Sequence, residues 1–115
     1  MPDIKELTEK IKEFRDKRDW QQFHNHKDMA LSLALEAAEV LEHFQWKSPE
    51  EVMEYAKTNK DEIAEELADV AIYLFELADN MEIDLKEAME KKLEKNNTKY
   101  PVEKAKGRHT KYNKF

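Results

Sequence analysis

Residues 33–46, LALEAAEVLEHFQW, decide the fold. Apolar residues recur there at helical spacing, and Glu36 and Glu39 interrupt them on a narrow acidic strip. Residues three apart share one face of a helix, so the two carboxylates stand side by side. Apolar positions flank that strip on both sides: Met29, Leu33, Ala37, Val40 and Phe44 on one, Leu31, Leu35 and Ala38 on the other. A helix apolar on both sides of an acidic strip does not face open water, so it needs more partners than one short chain supplies. The expectation is an all-α, four-helix-bundle-like fold assembled as an oligomer.

The same pattern returns at residues 65–74, EELADVAIYL, where Glu66 and Asp69 form the second pair and Tyr73 lies one turn on. If the helices face each other, the two pairs make a four-carboxylate site without histidine. Hard divalent cations, Mg²⁺ first and Mn²⁺ as a substitute, favour such oxygen ligands. A di-iron bundle also uses inward Glu, but it needs Glu-x-x-His. Gln21, Phe23, Val40 and Lys106 are the residues three before the four histidines, so that motif is absent. Magnesium held by carboxylates keeps positions for water and substrate phosphates, which implies phosphoanhydride or phosphate-ester hydrolysis.

The rest of the chain agrees with a helical reading. One Gly and three Pro among 115 residues leave few turns, and the absence of Cys excludes disulfides and thiol chemistry. Hydrophobic and charged residues each make up 40%. Asp3 and Glu6 start a first helix expected to reach Lys17, and a second is expected from Asp28 to Trp46. Ser48-Pro49-Glu50-Glu51 starts a short helix, a third long helix spans 61–81, and Asp84 with Glu87 starts the last, which ends before Pro101. A net charge of −6 argues against binding nucleic acid. No long apolar run or signal-peptide pattern occurs, so a soluble cytoplasmic protein with no membrane association is expected. Residues 1–100 read as one domain. Residues 101–115, with five Lys/Arg against one Glu, read as a basic, flexible tail.

Four segments, RDWQQFH, LALEAAEVLEHFQWK, EELADVAIYL and KLEKNNTKYP, occur in order over most of residues 15–101. In these the chain resembles the MazG-like all-α nucleoside triphosphate pyrophosphohydrolases, most closely their dCTP pyrophosphatase branch. The resemblance implies Mg²⁺-dependent cleavage of a nucleoside triphosphate, a dCTP-like pyrimidine foremost, to the monophosphate and pyrophosphate. It implies Glu36, Glu39, Glu66 and Asp69 as metal ligands, and Lys92 and Asn96 at the phosphates. Trp20, Phe23, Trp46 and Tyr73 are candidates for a base pocket because aromatic faces stack on any nucleobase. His24 matches a position lining the same pocket. A homo-oligomer, with a tetramer favoured over a dimer, is the expected assembly.

Two positions depart from the family pattern. Ile11 stands where dCTP-preferring members often carry His, which puts base preference in question. Lys99 replaces a common Arg before Tyr-Pro and cannot make a bidentate phosphate contact. The competing reading is a non-catalytic helical assembly or regulatory module whose acidic strips are only solvated. Under it His43 and His109 are solvated or structural, as they also are under the enzymatic one.

Overall fold

The computed structural model describes residues 3–109. Those residues form helices joined by short turns, and no strand occurs among them. Helix α1 spans Ile4–Lys17, α2 His26–Glu42, α3 Pro49–Thr58, α4 Lys60–Asn80, α5 Leu85–Lys99 and α6 Val102–Ala105. A single 3₁₀ turn, Gln21–Phe23, lies in the aromatic connection between α1 and α2. By internal contacts the chain divides into two compact units, one within residues 1–82 and one within 83–115.

The helix starts follow the capping residues. The Asp3 carboxylate accepts from the Glu6 N–H at 3.0 Å, and the Asp84 carboxylate accepts from Glu87 N–H at 3.1 Å. Ser48 and Glu51 form a reciprocal capping box with Pro49 in the first turn. Each such cap is worth about 1 kcal/mol, because it satisfies backbone donors that the helix cannot. The start of α2 differs from the sequence expectation. Asn25 is the cap; its side-chain oxygen accepts from Asp28 N–H at 2.8 Å, which brings the start forward from Asp28 to His26. The end differs too. Helix α2 stops at Glu42, and His43–Trp46 form consecutive turns, with His43 and Phe44 N–H bonded three residues back.

In the first unit α4 is the central strut, against which α1, α2 and α3 all pack. Helix α2 makes the most extensive contact, so the two acidic helices are neighbours. Fully buried apolar side chains are few. Met29 of α2 is 1% exposed, while Leu31, Leu35, Leu41 and Leu67 remain more than half exposed. Burying a leucine is worth roughly 1.5–3 kcal/mol, so these side chains leave a substantial stabilisation unrealised in the single chain.

In the second unit, α5 ends before Pro101 as expected, and Tyr100 N–H closes it on Asn96 C=O at 2.8 Å. The stretch read as a flexible basic tail contains α6 over Val102–Ala105, which the sequence reading did not anticipate. Residues 110–115 of that tail lie outside the described residues.

Candidate active site

Helix α2 supplies Glu36 and Glu39, and α4 supplies Glu66 and Asp69. Their proximity is felt most at Glu36, whose carboxyl is raised above the ordinary carboxylate value. Burial is the largest cause, followed by a hydrogen bond with Glu39 and its charge, then the charges of Asp69 and Glu66. Glu36 Oε2 is buried without a hydrogen-bond partner. Glu66 Oε2 is buried too, in close polar contact with His43 Nε2 at 2.5 Å. Across the ring, His43 Nδ1 and Tyr55 Oη are 2.6 Å apart. His43 is therefore engaged on both nitrogens rather than solvated. Glu39 and Asp69 are exposed.

The donor chemistry of this cluster fits a hard divalent cation. All four groups offer oxygens, Glu36 Oε2 is buried without a hydrogen-bond partner, and mutual repulsion raises the cost of leaving the charges unneutralised. The side chains are not preorganised for it: among the described residues no three His, Asp or Glu groups are arranged to hold an ion.

Next to the cluster lies a cavity of about 590 Å³ between α1 and α4. Its walls include Ile11 and Phe14 of α1, Trp20 and His24 of the connection, and Asp69 and Tyr73 of α4. That volume is within the range of small-molecule sites. Asp69 belongs to both cluster and cavity, and Tyr73 follows it by one helical turn. The Tyr73 hydroxyl is raised above its usual value by burial, then by the charges of Glu36, Asp69, Glu76 and Glu39. It stays a neutral donor where the acidic site meets the cavity.

Trp20 is placed by the end of α1. Asp19 adopts a left-handed conformation (φ 55°), Trp20 N–H reaches back to Arg15 C=O at 3.1 Å, and Asp19 N–H bonds Asp16 C=O at 3.1 Å. This is a Schellman closure with Asp in the place usually taken by Gly. It turns the Trp20 ring into edge contact with Phe14, centroids 5.8 Å apart.

Trp20, His24 and Tyr73 thus meet in one cavity beside the carboxylates. Trp46 does not line it; it sits in the turn after α2 and is 86% exposed. Phe23 is also exposed. Lys92 and Asn96 share a face of α5, Lys92 exposed and Asn96 half-buried. Sequence reasoning missed Arg15 and Glu76 in the cavity wall, and the His43–Tyr55 contact behind Glu66. Glu76 had a signal, being one turn beyond Tyr73 on the same face of α4. Arg15 had none.

The MazG-like family model matches residues 31–115. The chain belongs to the MazG-like family. Similar proteins include dCTP pyrophosphatase 1 of Mus musculus, 39% identical over 113 residues, covering 96% of this chain and 66% of that protein. The Homo sapiens dCTP pyrophosphatase 1 is 34% identical over the same coverage of both. The chain thus spans just under two thirds of the length of these relatives. A solved pyrophosphatase from Archaeoglobus fulgidus is 46% identical, with a TM-score of 0.81 over 85% of this chain and 92% of that one. The MazG-like assignment rests on sequence and all-helical architecture together.

Proposed function

We propose that this chain is a cytoplasmic, Mg²⁺-dependent nucleoside triphosphate pyrophosphohydrolase. It converts a (d)NTP, a dCTP-like pyrimidine foremost, to the monophosphate and pyrophosphate. The observation that carries this reading is the continuity of the carboxylate cluster with the cavity through Asp69 and Tyr73. A nucleotide with its base in the cavity has its phosphates directed toward the carboxylates, where a cation is needed to offset charge. Similarity to proteins named dCTP pyrophosphatase and pyrophosphatase supports it.

Glu36, Glu39, Glu66 and Asp69 would hold Mg²⁺, with Mn²⁺ as a substitute. When bound, the cation supplies charge neutralisation at phosphate oxygens and lowers the pKa of water. Trp20 offers a ring face for stacking, Tyr73 donates a hydroxyl proton near the sugar–phosphate end, and a carboxylate of the cluster accepts the proton of the attacking water. Lys92 and Asn96, on one face of α5, can donate to phosphate oxygens. The exposed Leu31, Leu35, Leu41 and Leu67 support a homo-oligomer, with a tetramer as our reading. Among the described residues no helix is long and apolar enough to cross a membrane.

The test is pyrophosphate release from a panel of nucleoside triphosphates with Mg²⁺ or with EDTA. Mg²⁺-dependent release with dCTP among the best substrates is expected. A purified, folded protein that releases none from any nucleotide leaves the non-catalytic assembly in its place.

Metal binding also has a thermal readout. The folded chain holds a proton on Glu36 more tightly than the unfolded chain does, because its pKa is raised. That stabilisation is fully present below the ordinary carboxylate pKa and is lost as pH rises through the raised value. The melting temperature of metal-free protein should therefore fall from mildly acidic to neutral pH. Mg²⁺ should offset the fall at the upper end, since saturation to 100 times Kd is worth about 2.7 kcal/mol. Melting curves indifferent to both pH and millimolar Mg²⁺ would favour solvated strips.

A further inference from the structure

Where α2 gives way to turns, one side chain grips the carboxylate set from outside it. Helix α2 ends at Glu42, and the side chain of the next residue, His43, is only 10% exposed. Its Nε2 lies 2.5 Å from Glu66 Oε2 of α4, and its Nδ1 lies 2.6 Å from Tyr55 Oη of α3. Tyr55 is held in turn. Its ring meets Phe44 edge-on with centroids 6.5 Å apart, and Lys47 Nζ sits 4.2 Å from the ring centroid. Its C=O accepts from the Asn59 side chain at 3.1 Å. A line of polar contacts, Tyr55 to His43 to Glu66, therefore ties α3 and the turn after α2 to a carboxylate of α4.

The consequence falls on the two oxygens of Glu66. Oε2 is buried against the imidazole, yet the side chain as a whole is 29% exposed, so its exposure lies on the remaining atoms. Whichever of the two touching atoms carries a proton, Oε2 is committed to the protein. Glu66 is left with one oxygen to offer an ion. That restriction bears unequally on the hard divalent cations. Mg²⁺ is small, demands near-octahedral geometry and keeps several waters, so single oxygens suit it. Ca²⁺ takes more oxygens at longer and more variable distances, and it readily uses both oxygens of one carboxylate.

We propose that His43, backed by Tyr55, is a positioning residue that occupies one oxygen of Glu66 and so makes the carboxylate set discriminate Mg²⁺ from Ca²⁺. This rests on reading Glu36, Glu39, Glu66 and Asp69 as the cation site.

The test is titration calorimetry of the full chain with Mg²⁺ alone and with Ca²⁺ alone, without nucleotide, beside melting curves of the metal-free protein. His43→Leu frees Oε2 and should lower the ratio of Mg²⁺ to Ca²⁺ affinity by about 10-fold or more, the scale of losing the partner of a metal ligand. Tyr55→Phe keeps a ring beside Phe44 and Lys47 and should move the ratio the same way by less. His43→Gln, whose amide also reaches a carboxylate, should restore most of it. In a Glu66→Gln background His43→Leu should leave the ratio in place, because the carboxylate it acts on is gone.

A fold defect lowers the melting temperature and weakens both ions alike. An unchanged ratio in His43→Leu, or tighter binding of both ions, overturns the assignment. Should His43→Leu fail to fold, an unchanged ratio in Tyr55→Phe overturns it equally. A shifted ratio in a protein that releases no pyrophosphate keeps the role of His43 and removes the hydrolase reading. Wild-type protein that takes up neither ion overturns the cation site and the role of His43 together.

Discussion

Glu39→Gln and Asp69→Asn should each lower nucleotide hydrolysis by more than about 100-fold, while the folded protein keeps or gains stability. Both side chains are exposed, so neither substitution opens a cavity or strands a buried partner. Each removes one negative charge from the set that pushes Glu36 upward, which relieves repulsion in the metal-free protein. Under the proposed function the same charge is one the cation would need. Substituting a partner once removed from a metal already costs 10–100-fold, and loss of a ligand costs more. The two effects have opposite signs on stability and activity, and this separates the reading from a trivial loss of fold. Steady-state pyrophosphate release at saturating Mg²⁺, alongside melting curves, measures both. Near-normal turnover in either variant would remove the assigned metal site.

Much of the frame was legible because it depends on local chemistry. Asp3, Ser48 and Asp84 satisfy backbone N–H groups within three residues of themselves, so the starts of α1, α3 and α5 can be read without knowing the fold. Asn25 was equally local, but Asp28 three residues on is also a competent cap, and sequence alone did not rank them. The left-handed Asp19 was hidden for a different reason. That position normally signals itself with Gly, and an Asp in a charged stretch looks like any other surface residue. The acidic pairs were readable as faces of helices, since i and i+3 share a face wherever the helix packs. What required tertiary structure was the wall of the cavity. His24 and Glu76 meet across 52 residues, and Arg15 joins them from a third element. No periodicity encodes such a meeting. The same holds for His43, which reads as a surface residue on α2 until the turn after Glu42 brings it against Glu66 and Tyr55.

Trp46→Ala should weaken nucleotide binding by roughly 1–3 kcal/mol, with similar losses across bases, and leave the melting temperature of the isolated chain unchanged. At 86% exposed the ring contributes little to packing, so truncating it removes almost no buried area from the single chain. A tryptophan so open to water, in a turn beginning one residue after α2, is poised to cover a ligand or a neighbouring copy. Stacking acts in ground and transition states alike, so apparent affinity should suffer more than turnover at saturation. Kinetics of the variant on dCTP, dUTP and dATP measure this, with sedimentation over a concentration series beside them. Unchanged affinity for all three, together with dissociation of the assembly, would assign Trp46 to the contact between subunits. Base stacking would then fall to Trp20 and Tyr73, whose rings already line the cavity beside Asp69.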